Sequence, residues 1–257
     1  MTKMNVEAAT RRATAGVATL LLLGACADQP TATALAPANA AADRNAAGMA
    51  GMAGMSGMGS EMALKEGTLY VANLHPLNAR AQQALDPDPR SPRGVAQGTA
   101  YFRVVGGMLH AVVDVTGAEP AEGAFPDGLH PQHIHAAAQC PPMSADTNGD
   151  GFVDVIEGLP FYGNILVPLD GDISNTTSEI PTFPRAMGER GTYHYEASTS
   201  LMTLEQAIGG SLALPTRHVV IHGVDLATPL PASVQSLPGI PAQLTLPIAC
   251  GEIREAQ

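Results

Sequence analysis

His133 and His135 stand two residues apart in Gly128-Leu-His130-Pro-Gln-His133-Ile-His135. On a strand, side chains alternate between faces, so both imidazoles leave the same side. Two converging imidazoles suit copper or zinc. Arg217-His218-Val-Val-Ile-His222 supplies a further strand histidine, His222. The remaining histidines are expected to be hydrogen-bonded or exposed: His75 in a His-Pro loop, and His110, His194 and His218 in strands.

A second set is acidic. Asp146-Thr-Asn148-Gly-Asp150-Gly151-Phe152-Val-Asp154-Val-Ile-Glu157 fits the EF-hand calcium loop in its key positions. Calcium takes hard oxygen ligands. They would come from Asp146, Asn148, Asp150, the Phe152 carbonyl, Asp154 through water, and a bidentate Glu157, with Gly151 making the sharp turn. The alternative is an acidic surface turn. Helices on either side are not expected, because Pro141 and Pro142 precede the loop and Gly158 and Pro160 follow it. An isolated, structural calcium loop fits that better than a paired sensor.

A third set is Met49, Met52, Met55 and Met58, one every three residues among Gly, Ala and Ser, with Met62 after them. Thioethers are soft ligands that select Cu(I). The same composition suits a linker in which methionine is incidental. No nucleophile elbow, phosphate loop, dinucleotide fingerprint or Cys-His nucleophile pairing accompanies these sets.

Around these residues the chain divides by composition. Lys3, Arg11 and Arg12 precede an apolar run, Ala13 to Leu23, too short to span a bilayer and typical of a signal peptide. Leu23-Gly24-Ala25-Cys26 resembles the lipobox of bacterial lipoproteins, which implies that residues 1–25 are removed and Cys26 is acylated. The protein would then be anchored to a membrane rather than spanning it. Ala27 after the cysteine, by resemblance to the Gram-negative sorting rule, favours the outer membrane and an envelope location. Residues 26–62 read as a flexible, lipidated tether and 63–257 as one domain. Removing the signal leaves 10 basic and 23 acidic residues, a formal charge of −13. Such a chain is a poor partner for nucleic acid and a plausible one for cations.

The domain carries short β-branched or aromatic runs separated by Gly, Pro and Asp: residues 68–72, 99–105, 108–115, 164–169, 192–195, 218–222 and 243–246. Only Leu204–Ile208 looks helical. This pattern predicts an all-β antiparallel sandwich or barrel. Once Cys26 is consumed by lipid, Cys140 and Cys250 remain in an oxidising compartment. An even pair there reads as a disulfide, with two buried thiols as the alternative.

The ordered set from Gly98 to Ile253 resembles the copper/zinc superoxide dismutase family, a Greek-key β-barrel. By that resemblance His133, His135 and His222 match copper ligands, His130 a structural histidine, and Cys140 and Cys250 the intrachain disulfide. The departures are specific. No histidine lies between His135 and His194, so the zinc site and the bridging ligand have no counterpart and zinc is not expected. His194 is the candidate for a fourth copper ligand. Pro247 stands where the family has an arginine that draws in superoxide.

These observations predict an envelope lipoprotein whose calcium-stabilised, dismutase-like domain captures or buffers copper. A copper-only superoxide dismutase is the enzymatic alternative. A structural or adhesive surface domain without copper is the third.

Overall fold

Neighbouring strands β2 (Gln97–Val105) and β3 (Met108–Thr116) show how alternation builds the inner face. Ala100 and Phe102 on β2, and Leu109, Ala111, Val113 and Val115 on β3, are buried, while Tyr101 and Asp114 between them are exposed. The computed structural model describes residues 67–85, 94–120 and 128–257. The expected signal peptide, Cys26, the expected tether and the methionines Met49, Met52, Met55, Met58 and Met62 lie outside the described residues.

The remaining strands are β1 (Thr68–Pro76), β4 (Gln132–His135), β5 (Ile165–Pro168), β6 (Tyr193–Ser200), β7 (His218–His222), β8 (Pro247–Glu252) and β9 (Arg254–Glu255). They pair antiparallel in the order β5-β4-β7-β8-β1-β2-β3-β6, with β9 on β1. Strand β1 is shared. Its residues 68–74 pair with β2, while His75 and Pro76 pair with Cys250 and Ala249 of β8. The sheet curls, so Phe102, Leu109 and Val113 from one arm meet Ile134, Val219, Ile221 and Ile248 from the other in a single core. The fold is all-β, of the barrel or sandwich type.

Among the described residues four short α-helices interrupt it: α1 (Ala79–Gln82), α2 (Val155–Tyr162), α3 (Leu201–Ile208) and α4 (Ala242–Thr245). Among the described residues no helix is long and apolar enough to cross a membrane.

Three local expectations are corrected. His75 is not in a loop but ends β1, where Pro76 sits at the strand terminus and costs the ladder little. Residues 243–246 do not form a strand. Ala242–Thr245 is a helical turn after Pro241, and the ladder with β7 begins only at Pro247. A helix does follow the acidic loop despite Gly158 and Pro160. Asp154 caps it by accepting from the amides of Ile156 and Glu157, and Glu157 reaches back to the Asp154 amide. This capping box satisfies several of the amides that a helix start leaves unpaired. Gly158 leaves room for Tyr162, since a Cβ there would come within 2.3 Å of its ring.

Candidate metal centre

Strands β4 and β7 pair with His133 opposite Val220 and His135 opposite His218. Paired residues share a face, so His133, His135, His218, Val220 and His222 all lie opposite the core-facing Ile134, Val219 and Ile221. That outer face is buried as well, which is why every residue of β4 and β7 is buried. A β-bulge follows Ile134 and another follows Ile221, each just before a histidine. Bulges of this kind re-aim the side chains beside them.

His133, His135 and His222 bring one ligand atom each to within 4.8 Å of one another. Among the described residues this is the one group of three or more His, Cys, Asp or Glu side chains gathered that closely. Their ring centroids are 5.5 to 5.8 Å apart. Outer contacts orient each ring. His135 Nδ1 lies 3.0 Å from the Gly163 carbonyl and His222 Nδ1 2.7 Å from the Thr245 carbonyl. A carbonyl only accepts, so both Nδ1 atoms carry the proton and both Nε2 atoms keep a lone pair. His133 is turned the other way, with Nε2 3.3 Å from the Ser178 hydroxyl. The three ring nitrogens left over, His133 Nδ1, His135 Nε2 and His222 Nε2, are buried without any partner.

Unsatisfied buried nitrogens are costly, and three of them beside one another need an explanation. Burial holds all three rings neutral. It depresses His133 and His135 well below the ordinary histidine value, with the neighbouring imidazoles adding to it. It takes His222 down to about 4, against a smaller opposing effect of the Thr245 carbonyl. Neutral imidazoles with free lone pairs, each oriented by a second contact, are the form that binds a metal. The donor set therefore fits copper or zinc, and three ligands leave a coordination position open.

Gly163 matters to this geometry. Its φ of +68° is a conformation that L side chains rarely adopt, and a Cβ would crowd Ala137. The glycine ends α2 and delivers the carbonyl that holds His135.

The other histidines divide clearly. His130 has both ring nitrogens on carbonyls, those of His222 and Glu119, which is a structural arrangement. His194 is not a fourth ligand. It lies exposed on β6, 2.7 Å from Asp114, because its position on that strand faces solvent. His110 is only partly buried, on β3. His218 is fully buried with Nδ1 2.6 Å from the Ala137 carbonyl, Nε2 unpartnered, and its ring stacked on His135. The sequence carries a signal for it: residues 218 and 222 share a strand face by period two.

A cavity of about 390 Å³ opens over the three histidines. Leu159 and Tyr162 of α2, Phe183, Ile240 and Leu244 wall it. These residues come from segments whose approach to the sheet is tertiary, and no periodicity announces them. Pro247 lies buried on β8, its carbonyl accepting from the Asn78 carboxamide.

The acidic loop folds on itself. Asp146 accepts from the amides of Gly149, Asp150 and Gly151. Asn148 accepts from the Asp150 amide, and Asp150 from the Phe152 amide and the Ser233 hydroxyl. Glu157 closes the circle on Thr147 and Asn148. Gly151, at φ +91°, makes the turn. Its carboxylates are not drawn into a cluster as tight as the histidines. Each retains acceptor capacity beyond these bonds. The Cys140–Cys250 disulfide is formed, with Cα atoms 5.8 Å apart, and ties the segment before this loop to β8.

No model of a known protein family matches the chain, and no curated protein matches it significantly, so the histidine centre stands on its own geometry.

Proposed function

We propose that the domain binds one copper ion through His133, His135 and His222, and that its work is copper capture or buffering at the cell envelope. The observation that carries this reading is the trio of buried ring nitrogens without partners, each on a ring whose other nitrogen is held by an outer contact, a carbonyl that fixes the tautomer for His135 and His222 and the Ser178 hydroxyl for His133. Bound copper would supply Lewis acidity and one-electron chemistry at the open position. The protein's part is to hold three neutral imidazoles in place and keep water from their backs.

The resemblance to copper/zinc superoxide dismutases supports the same ligand set. It also keeps a second reading in view, a copper-only dismutase, which the open position favours. Against fast turnover stands the environment: Pro247 occupies the place of the guiding arginine, and no Lys or Arg lines the cavity. Without steering, the on-rate of an anion falls by about 10- to 1000-fold.

The acidic loop, on this reading, takes calcium through Asp146, Asn148, Asp150, the Phe152 carbonyl, Asp154 and Glu157, and serves the fold. The lipobox-like Cys26 anchors the protein to the envelope membrane, and Met49 to Met62 offer a Cu(I)-preferring stretch beside it. The deciding experiment is metal analysis and Cu(II) paramagnetic resonance of the full chain purified from the envelope. One copper with nitrogen hyperfine coupling is expected, lost in the His133→Ala, His135→Ala double variant. A native chain that stays copper-free at equimolar supply would leave a structural surface domain as the answer.

A further inference from the structure

The cavity over the histidines has a polar floor and mostly apolar walls. Its volume, about 390 Å³, falls in the range of small-molecule sites. No Asp, Glu, Lys or Arg lines it. Its polar groups are the histidines, Ser178, Asn164 and Thr245, and two of these already serve the rings: the Ser178 hydroxyl faces His133, and the Thr245 carbonyl accepts from His222. A charged ligand entering the metal-free cavity would lose its hydration and meet no countercharge from the protein, and beyond the floor the walls offer none in either state.

The mouth is as informative as the interior. Leu159, Ile165, Ile180 and Leu237 all line this cavity and all remain more than a third exposed to solvent. Single exposed apolar residues are unremarkable, but several gathered around one opening mark a surface that receives something apolar. These side chains come from α2, β5, a 3-10 turn at Ile180–Thr182 and a loop, so no one element's packing accounts for the grouping.

We propose that this cavity is a binding site for a small uncharged molecule with an apolar body and a single nitrogen or sulfur donor. The donor meets the floor formed by His133, His135 and His222. The body lies against Leu159, Phe183, Ile240 and Leu244. The inference rests on the copper reading for the donor's destination and not for the apolar body, so the two can fail separately.

The test compares three probes on the full chain, metal-free and copper-loaded, at pH 8: 4-phenylimidazole, imidazole and azide. Binding is followed by calorimetry and, with copper, by the paramagnetic resonance signal. The apolar body should make 4-phenylimidazole bind at least ten times more tightly than imidazole, with azide failing to displace it. Leu159→Glu and Leu237→Glu change exposed rim positions, and unaltered melting temperatures would show that both variants remain folded. They should weaken 4-phenylimidazole at least tenfold and imidazole less than twofold. If copper does not load but the metal-free chain still prefers 4-phenylimidazole and loses it in the rim variants, the cavity stands and the metal reading falls. If copper loads and imidazole equals 4-phenylimidazole, or azide outcompetes both, the proposal is overturned and the metal reading survives. No binding of 4-phenylimidazole in either state also overturns it.

Discussion

At the scale of single residues, the site depends on which nitrogen of each ring is free. Replacing a contact that only orients a ligand typically weakens a metal about 10- to 100-fold. Removing a ligand outright, as in His222→Ala, is therefore expected to cost more than about 100-fold in copper affinity, read by competition with a chelator. The same burial gives the metal-free protein an acid sensitivity. His130, His133, His135 and His222 are all depressed by desolvation. As pH falls below about 6.5 the unfolded chain takes up protons that the folded chain refuses, so stability drops with acid. For His222 the drop runs from there to about pH 4, where it is complete. His194 works the other way, raised first of all by its hydrogen bond to Asp114, but it is exposed and screened. Denaturant midpoints of the metal-free chain at pH 7.5 and 5 should differ, with the lower value at pH 5, and bound copper should keep or widen the gap, because it bars the last protons from the folded rings while the unfolded chain still takes them up. A midpoint that rises toward pH 5 would show that these rings are not buried neutral. The ligand residues were legible because period-two alternation places His133 and His135 on one face and His222 ends a similar strand. The unpaired nitrogens were not, since Gly163, Ser178 and Thr245 reach the rings only through the fold.

At the scale of elements, α2 connects the acidic loop to the histidines. Its first turn is built from Asp154 and Glu157, and Asp154 also accepts from the Gln235 amide. Its far end supplies Tyr162, whose ring lies 4.8 Å from that of His135 and whose hydroxyl donates to the Val155 carbonyl. Gly158→Ala would drive a methyl into that ring. Overpacking of this kind costs about 1–3 kcal/mol. The variant should melt earlier and display an altered Cu(II) spectrum, because Gly163 moves with the end of the helix; an unchanged spectrum would mean α2 does not set His135. Reading Gly158 and Pro160 as helix breakers missed this element. Propensity disfavours both, but a capping box and the packing of Tyr162 outweighed it. The β-strands were easier to see. In β3 the alternation of Leu109, Ala111, Val113 and Val115 with partly or fully exposed neighbours leaves little choice.

At the scale of the whole molecule, two restraints hold the described domain beyond its core. The disulfide closes a separation of 110 residues, which on the chain-entropy account is worth about 4–5 kcal/mol. Cys250→Ala should lower the melting temperature by well over 5 °C, and a smaller change would mean that the reduced chain keeps its closure by other contacts. The acidic loop is the second restraint. Four carboxylates within twelve residues repel one another when no cation is near. A ligand that binds only the native state adds RT ln(1 + [L]/Kd) to stability. Chelating calcium should lower the melting temperature and loosen residues 140–162 in hydrogen exchange, and Glu157→Gln should reproduce both effects. A melting curve indifferent to millimolar calcium would reduce the loop to an acidic turn. The anchor is tested apart from the fold: Cys26→Ser should move the protein to the soluble envelope fraction with its melting temperature intact.

The pairing of β4 with β7 has a consequence in time. His133 and His135 are sequence neighbours, but His222 joins them only when a strand far along the chain docks beside theirs. An unfolded chain offers a two-histidine fragment and nothing more, so complete ligation waits for folding. A chain that crosses a membrane unfolded therefore carries no finished centre while it crosses. If the three imidazoles close on a metal, it would be one supplied where folding finishes, and relative abundance in that compartment, more than intrinsic affinity, would decide which ion that is.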